Sequence, residues 1–410
     1  MNSPLSGDGH PAKSYLGAVT QELLRSDRAE LNRRWSEAGF YQNRTLHRAL
    51  LDGVSRYPDT QSIFCGAGQE RICTNKQLHE AALSVAQALR NLGVMPGDVV
   101  AVQLPAWYET ALLFRAIAHV GAVALPILPA FGLSETHFVL EQSRAKVLFT
   151  PARWRGIDYT ARDESLRTLN DLRWSFAVGD EARQEQGWAA FIGNADADAL
   201  CELSSASADD VALILFTSGT NAEPKGVLHT HNTLLREWSR PAFQLTGRFL
   251  SVLPAGHYTG YHYLMRPSTH GVATIYMDQW LPEVAADLIE RYRIDHSGGT
   301  PIFLLALLAA ADRIGADLSA LKSFVMGGQS MTPQLIAKAD AAGFPACRVY
   351  GLTEFPTVTE LDAAASFDAR ARTDGHADEG NEIRIIGEDG CEVAVGQDGE
   401  VIVRGPEQFV

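Results

Sequence analysis

A run of small hydroxyl residues and glycines continues from a strongly apolar segment and carries a single lysine near its far end. The run is "FTSGTNAEPKGVLHTH", residues 216–231, and the apolar segment is "VALILF". Backbone N–H groups of such a loop can converge on phosphate oxygens, glycines allow close approach, and Lys225 would add a mobile positive charge. A plain strand-to-helix turn would have the same composition, so the run alone leaves both interpretations open.

The lysine does not belong to a Walker loop. That motif needs Gly-Lys followed by Ser or Thr, whereas Pro224 precedes Lys225 and Gly226 follows it. Pro224 would instead stiffen the turn that holds the lysine. An ordinary P-loop nucleotide hydrolase is therefore disfavoured.

Other motifs accompany the run in a fixed order along the chain. They are "AHVGAVALPI" (118–127), "LPAGHYTGY" (253–261), "VMGGQSMTP" (325–333), "VYGLTEFP" (349–356) and "GEVIVRGP" (399–406). In spelling and order, these segments and the run resemble the adenylate-forming superfamily of acyl- and aryl-CoA synthetases and other AMP-binding enzymes. The resemblance covers the chain from residue 45 onward and corresponds to the N-terminal domain of that superfamily.

The resemblance implies an ATP and Mg²⁺ site built from three of these motifs. Thr353 would bond the α-phosphate, and Glu354, together with Thr217, would hold Mg²⁺, a hard cation that prefers carboxylate and phosphate oxygens. Lys225, Thr353 and Glu354 are the catalytic candidates. The β and γ phosphates would contact Thr217, Ser218, Gly219, Thr220 and Lys225, and the adenine would contact Gly327, Gly328, Gln329, Tyr350 and Gly351.

Several of these assignments have a structural alternative. Glu354 could be a surface acid, although a carboxylate among apolar neighbours is costly unless it is paired. Tyr350 could pack in the core, as aromatic residues at strand ends usually do. His229 and His231 are expected to begin the next helix, with Asn232 and Thr233 as candidate caps, and not to act as bases.

The acyl-pocket motif supplies the substrate candidates His257, Tyr258 and Gly260. His257 could orient the acyl group or be a structural histidine. Tyr261 and Tyr263 add further rings, which could line an aromatic pocket or pack internally. The motif offers no Asp to pair with a substrate ammonium group, so a plain carboxylic acid is the expected substrate class.

The chain departs from the superfamily pattern in two places. Asn221 and Ala222 replace the usual Thr-Gly, so the loop loses a glycine, although Asn tolerates left-handed backbone better than most residues. The Thr-Gly-Asp motif and the later catalytic lysine that normally follow "VRGP" do not occur in the 410 residues. We therefore expect an N-terminal portion that binds its substrates but is poorly active alone.

Composition sets outer limits on function. A net charge of −14 argues against nucleic-acid or anionic-membrane surfaces, and the longest apolar run, at residues 302–311, is too short to span a bilayer. The five cysteines are scattered without metal-ligand spacing. A reduced, cytoplasmic setting is expected, with small molecules as partners and a homodimer left open.

The elements that must position these motifs alternate along the chain. A capping-box pair, Thr74 and Gln77, begins an amphipathic helix that Gly93 ends, and a second helix closes at Gly121. The alternation of strands and helices predicts an α/β fold with two stacked parallel-sheet subdomains and a small C-terminal antiparallel β subdomain. The predicted units are a helical lead-in (1–45), a first α/β subdomain (46–205), a second α/β subdomain with the ATP and acyl sites (206–360), and the β subdomain (361–410).

The resemblance implies a two-step reaction. A carboxylate attacks the α-phosphate of ATP to give an acyl-adenylate and pyrophosphate, and the thiol of CoA then takes the acyl group. Two alternatives remain open at this point: a nucleotide-binding module without turnover, and a ligase that loads a carrier protein instead of CoA.

Overall fold

The computed structural model describes residues 27–66, 69–179, 186–193, 206–217, 224–241 and 245–410. The predicted α/β class is confirmed, because two largely parallel sheets and their covering helices contain most of these residues. The helices are α1 Asp27–Glu37, α2 Leu46–Arg56, α3 Asn75–Asn91, α4 Tyr108–Val120, α5 Leu133–Ser143, α6 Asp163–Leu166, α7 Trp188–Ile192, α8 His231–Trp238, α9 Tyr258–His270, α10 Pro282–Tyr292, α11 Pro301–Ile314, α12 Pro333–Ala341 and α13 Phe367–Arg372.

The strands fall into sheets of very different size. They are β1 Gln61–Gly66, β2 Gln69–Thr74, β3 Val99–Val102, β4 Val123–Pro126, β5 Val147–Pro151, β6 Arg153–Trp154, β7 Ile157–Asp158, β8 Trp174–Val178, β9 Val211–Thr217, β10 Lys225–Thr230, β11 Arg248–Ser251, β12 Ala273–Met277, β13 His296–Gly299, β14 Ser323–Met326, β15 Ala346–Leu352, β16 Phe355–Glu360, β17 His376–Ala377, β18 Glu382–Ile386 and β19 Glu400–Arg404. Among the described residues, one sheet has the order β17-β16-β15-β14-β13-β11-β12-β1-β2 and the other β10-β9-β4-β3-β5-β8.

Sheet membership does not follow the predicted division at residue 205. The β1–β2 hairpin joins the larger sheet through the parallel pair β1–β12, although it precedes that division. The β9–β10 pair joins the smaller sheet through β4, although it follows the division. Parallel neighbours are joined by long crossovers, so chain order does not reveal which sheet receives a strand.

The predicted helix ends are confirmed. Thr74 accepts from the Gln77 backbone N–H and Gln77 accepts from that of Thr74, so the capping box that begins α3 is complete. Helix α4 ends at Gly121, whose φ of 73° is a left-handed conformation that favours glycine.

The core lies between the two sheets. Helix α4 contacts β3 and β4 on one side and α9 on the other, and α9 packs on β12 of the larger sheet. Because both sides of α4 are covered, every residue from Thr110 to Val120 is buried. The sheets are thus held in a fixed relation by two helix layers.

The last described strands form the antiparallel ladder predicted from the turn-rich sequence, with Glu382 paired to Arg404 and Ile386 to Glu400. Beyond that ladder the backbone returns to the smaller sheet. The Val410 N–H donates to the Leu228 carbonyl at 2.9 Å. None of the described helices has the length and apolar character needed to cross a membrane.

Candidate active site

The predicted phosphate loop joins two antiparallel strands. Thr217, the last residue of β9, lies directly opposite Lys225, the first residue of β10. Thr217 is half-buried and Lys225 is exposed, so the lysine is free to reach a ligand. Ser218, Gly219, Thr220 and the Asn221-Ala222 pair lie outside the described residues. We call β9, β10 and α8 the phosphate-loop arm.

The predicted adenine-binding turn begins where β14 ends. The Gly327 N–H donates to the Gly299 carbonyl at 3.1 Å. A Cβ on Gly327 would lie 2.9 Å from a methyl carbon of Val349 on the neighbouring strand, and Gly328 has a φ of 77°. Close packing against Val349 therefore favours glycine at 327, and left-handed backbone favours it at 328, while Gln329 is exposed.

Tyr350 lies on β15, the strand beside this turn. Its side chain is 40% exposed, so it does not pack in the core. The ladder with β16 is irregular between Tyr350 and Leu352, and a Cβ on Gly351 would lie 1.9 Å from the Pro356 carbonyl oxygen. Gly351 thus permits the tight approach of β15 and β16 next to the exposed tyrosine.

Thr353 and Glu354 form the two-residue turn between β15 and β16, and both side chains are half-buried. The Glu354 carboxylate makes no hydrogen bond or ion pair with the described residues. No group of three or more His, Cys, Asp or Glu among the described residues could hold a metal ion by itself. One available carboxylate nevertheless fits Mg²⁺, which commonly binds one or two carboxylates together with substrate phosphates.

A buried histidine connects this turn to the phosphate-loop arm. The Nε2 of His229 on β10 lies 2.8 Å from the Thr353 carbonyl oxygen. Burial lowers the pKa of His229 to about 4, although the Thr353 bond acts in the opposite direction. The ring is therefore neutral at pH 7, and Nε2 must carry its proton to donate to the carbonyl.

Backbone bonds add to this connection. The Phe409 N–H donates to the Glu354 carbonyl at 2.9 Å, next to the Val410–Leu228 bond. The segment at residues 409–410 therefore contacts both the turn and β10. The arm and the turn are held together by side-chain and main-chain bonds at once.

The expectation that His229 and His231 begin the next helix is right for His231 and wrong for His229. His229 lies in β10, and α8 begins at His231. The N-cap is Thr230, which forms a complete capping box with Thr233, so Asn232 is not the cap. The stretch "VLHTH" shows no alternation of apolar and polar residues, so no sequence signal marks His229 as a buried strand residue.

A second, charged connection joins the end of α8 to β16. The Thr357 hydroxyl donates to Glu237 Oε1 at 2.6 Å, and Arg240 Nη1 donates to the Thr357 carbonyl at 2.6 Å. Arg240 is also within ion-pair distance of Glu237 (3.6 Å), Glu360 (3.4 Å), Asp378 (3.5 Å) and Glu407 (3.9 Å), and Arg236 is within ion-pair distance of Asp378 (3.0 Å) and Glu407 (3.2 Å). We call these six residues the carboxylate–arginine cluster.

Burial dominates the protonation of this cluster. Glu237, Arg240 and Glu407 are almost wholly inaccessible to solvent. Burial raises the pKa of Glu237 and of Glu407 above the ordinary carboxyl value of 4.5, and the arginines oppose that rise. No sequence pattern marks this cluster, because its carboxylates come from segments far apart in the chain.

The predicted acyl-pocket residues occupy the start of α9. His257 is exposed and is the N-cap, accepting from the Thr259 N–H at 3.3 Å, which is a structural role. Its part in orienting an acyl group stays a prediction. Tyr258 is buried, with its ring centroid 5.5 Å from that of His229. A Cβ on Gly260 would lie 1.9 Å from the Pro254 carbonyl oxygen, so only glycine fits there.

The other rings of this motif pack internally. Tyr261 contacts Phe114 with a centroid distance of 4.8 Å, and Tyr263 contacts Phe249 at 4.5 Å. A cleft of about 500 Å³ lies elsewhere, between α2, α8 and α9, and none of the predicted site residues lines it.

A family model described as "AMP-binding enzyme" matches residues 51–409, most of the chain. The chain belongs to the AMP-binding enzyme family. The resemblance inferred from the motifs is thereby confirmed.

Curated relatives of this family member include several CoA ligases. It is 30% identical over 347 residues to the medium-chain fatty-acid–CoA ligase of Escherichia coli strain K12, covering 82% of this chain and 61% of that protein. It is 28% identical to the 2-hydroxy-7-methoxy-5-methyl-1-naphthoate–CoA ligase of Streptomyces carzinostaticus, covering 91% of this chain and 69% of that protein. The chain thus spans about three-fifths of the length of the Escherichia coli relative.

Solved structures of the family share the fold. The anthranilate CoA ligase AuaEII in complex with anthranoyl-AMP superposes with a TM-score of 0.81 at 20% identity, covering 90% of this chain and 71% of that one. The N-terminal domain of FACL13 from Mycobacterium tuberculosis gives a TM-score of 0.77 at 25% identity, covering 89% of this chain and 90% of that one.

Proposed function

We propose that this AMP-binding enzyme activates a carboxylic acid with ATP to an acyl-adenylate and then transfers the acyl group to the thiol of CoA. The observation that carries the proposal is the connection of the Thr217–Lys225 strand ends to the Thr353–Glu354 turn through His229. Membership of the AMP-binding family supports the choice of an adenine nucleotide, and the names of the relatives support the ligase reaction.

The residues of the arm would bind the phosphates of ATP. Thr217 and Lys225, with Ser218, Gly219 and Thr220 between them, would offer hydroxyl and N–H donors and one ammonium group to the β and γ phosphates. Lys225 is exposed and makes no ion pair with the described residues, so none of those residues competes with a phosphate for its ammonium group.

The turn would act at the reacting phosphorus. The Thr353 hydroxyl would donate to the α-phosphate as the acid carboxylate attacks it, while pyrophosphate leaves toward the arm. Glu354, with Thr217, would hold Mg²⁺, which supplies charge neutralisation on the phosphate oxygens. The protein's own contribution is to orient the attacking carboxylate, the α-phosphate and the leaving group.

Adenine would lie between the glycine turn and a tyrosine ring. Gly327 and Gly328 leave no side chain in the way, and Tyr350 offers an exposed aromatic face beside them. Gln329 follows the glycine turn in the sequence, Gly351 follows Tyr350, and both would contact the adenine. The exposed tyrosine ring is suited to stacking on a base.

A plain carboxylic acid with an aromatic, alicyclic or medium-length acyl group is the substrate class we propose. Residues 253–264 contain no Asp that could pair with an amino group. The names of relatives specify a medium-chain fatty acid and a naphthoate. The thiols of Cys65, Cys73, Cys347 and Cys391 are free, which fits the cytoplasmic location that we propose.

The first test replaces the proposed metal ligand. Calorimetric titration should show Mg²⁺-dependent ATP binding by the wild type, and Glu354→Gln should weaken that binding by about 10- to 100-fold because a magnesium ligand is lost. Glu290→Gln, which changes an exposed acid on α10, is the matched control. ATP affinity that is the same in Glu354→Gln and wild type would contradict the assignment of Glu354.

A second measurement addresses the chemistry. With the C-terminal region of a relative added, ATP–pyrophosphate exchange with a panel of aromatic, alicyclic and medium-chain acids should identify the acid. Mass spectrometry of the thioester should then show CoA as the acceptor. Transfer to a carrier protein instead of CoA would contradict the second step. ATP binding with no exchange for any acid, including after addition of the C-terminal region of a relative, would identify a binding module without turnover.

A further inference from the structure

His229 is a buried side chain that contacts two segments of the proposed site at once. It belongs to β10, which begins at Lys225, and its Nε2 reaches the Thr353 carbonyl at 2.8 Å. We propose that His229 is a positioning residue, which holds the Thr353–Glu354 turn in register with the phosphate-loop arm. This inference rests on the proposed function, because it assigns the histidine a part in binding Mg²⁺ and ATP.

Neighbours on several elements fix the direction of the imidazole ring. Its Nδ1 lies 3.5 Å from the Thr233 hydroxyl on α8, and its ring centroid lies 5.5 Å from that of Tyr258 on α9. The backbone of His229 is paired opposite Leu213 of β9. Only 1% of the surface of His229 is exposed, so water does not compete with the ring for the Thr353 carbonyl.

The Thr353 carbonyl is a sensitive point for such a bond. The two-residue turn between β15 and β16 contains the carbonyls of Thr353 and Glu354, and rotation of the peptide planes to which they belong moves the Thr353 hydroxyl and the Glu354 carboxylate. The first carbonyl accepts from His229 and the second accepts from the Phe409 N–H at 2.9 Å. Releasing the first bond would let the plane between Thr353 and Glu354 rotate, which would move the proposed magnesium ligand.

A second buried histidine provides the comparison that separates positioning from folding. His231 is as buried as His229 and lies two residues further on, but its Nδ1 accepts from the Leu46 N–H of α2 at 3.1 Å. Loss of either imidazole should lower stability. Loss of His229 alone should alter the contribution of Mg²⁺ to ATP affinity.

The experiment compares ATP affinity with and without Mg²⁺ in four variants. His229→Leu removes the donor, His229→Gln places an amide N–H near the position of Nε2, and His229→Asn places one too short to reach. In His229→Leu and His229→Asn, the factor by which Mg²⁺ increases ATP affinity should be about tenfold smaller than in the wild type. This is the usual effect of losing one hydrogen bond. His229→Gln should retain most of that gain. His231→Gln should lower the melting temperature but leave the Mg²⁺-dependent gain in ATP affinity unchanged.

The outcomes are distinguishable. A Mg²⁺-dependent gain that is equal in wild type, His229→Asn and His229→Gln would overturn the positioning role while leaving the proposed function intact. Loss of the gain in His231→Gln to the same extent as in His229→Asn would also overturn it, because any buried change in the arm would then suffice. ATP binding absent from the wild type would overturn the proposed function itself. If His229→Leu does not fold, the Asn and Gln pair decides the question.

Discussion

Strand β10 and helix α8 follow each other directly and form one segment. Different kinds of polar group attach its two ends to the rest of the molecule. Near the start, His229 and His231 are neutral, and each bonds to one backbone group on another segment. At the far end, the carboxylate–arginine cluster contains four carboxylates and two arginines with little access to water. Each neutral bond joins one donor to one acceptor in a fixed direction. The contribution of the cluster to stability depends instead on how many of its carboxyls are protonated.

The neutral end is stabilised by high pH. Burial lowers the pKa of His231 from 6.5 to about 4, so the folded chain binds a proton less readily than the unfolded chain does. The stability linked to His231 is therefore complete above pH 6.5 and is lost as the pH falls toward 4.

The charged end has the opposite dependence. Burial raises the pKa of Glu237 and Glu407 above 4.5, so the folded chain binds a proton more readily than the unfolded chain does. The stability linked to these carboxyls is complete below pH 4.5 and is lost as the pH rises through their raised values. The two ends together favour an optimum at mildly acid to neutral pH.

The largest expected effect comes from removing the central cation of the cluster. Arg240→Met should lower the free energy of unfolding at pH 7.5 by about 3–5 kcal/mol, because buried carboxylates lose their shared partner. The loss should be smaller at pH 5, where Glu237 and Glu407 are protonated. Denaturant unfolding at both pH values measures it. Arg313→Met, which removes an exposed ion pair to Glu283, is the control and should cost about 0–1 kcal/mol. Equal losses in the two variants would show that the cluster is not energetically special.

An intermediate effect is expected at the neutral end. His231→Leu leaves the buried Leu46 N–H without an acceptor and should cost roughly 1–3 kcal/mol near pH 7. The variant should also lose less stability than the wild type between pH 6.5 and 4, since its proton-linked group is gone. Thermal unfolding across that range, with His137→Gln as control, measures both. An acid slope as steep as that of the wild type would contradict the role given to His231.

The smallest expected effect is a gain. Glu237→Gln keeps an acceptor for the Thr357 hydroxyl but can no longer ionise in the buried cluster. At pH 8.5 it should be more stable than the wild type by on the order of 1 kcal/mol, and the advantage should vanish near pH 5. Unfolding curves at both pH values decide the matter, and a variant less stable than the wild type at pH 8.5 would reverse the sign assigned to the charged end.

Local elements were predictable from the sequence, and their pairings were not. The Thr74 capping box and Gly121 mark helix ends with short-range signals, which the structure confirms. Strand β13 could not be predicted, because its sequence, HSGG, lacks the large apolar residues that usually mark a buried strand. The β1–β12 pair joins residues about two hundred positions apart, and no local pattern encodes such a contact.

The candidate site divides in the same way. Motifs located the arm, the glycine turn and the Thr353–Glu354 turn, and the family match confirms the resemblance that those motifs carried. The individual roles of these residues stay predictions. His229 was set aside because neither its burial nor its bond to Thr353 can be inferred from "VLHTH" alone.

The segment at residues 408–410 gives the site an order of assembly. It bonds to Leu228 and Glu354, and Arg28 of α1 donates to the carbonyls of Gln408 and Phe409 at 3.0 and 3.1 Å. While the chain is being synthesised, the turn at Thr353 leaves the ribosome well before the segment that fastens it. The nascent protein can therefore form both sheets before the Glu354 carbonyl has its Phe409 partner, so the proposed nucleotide site is complete only when these residues emerge.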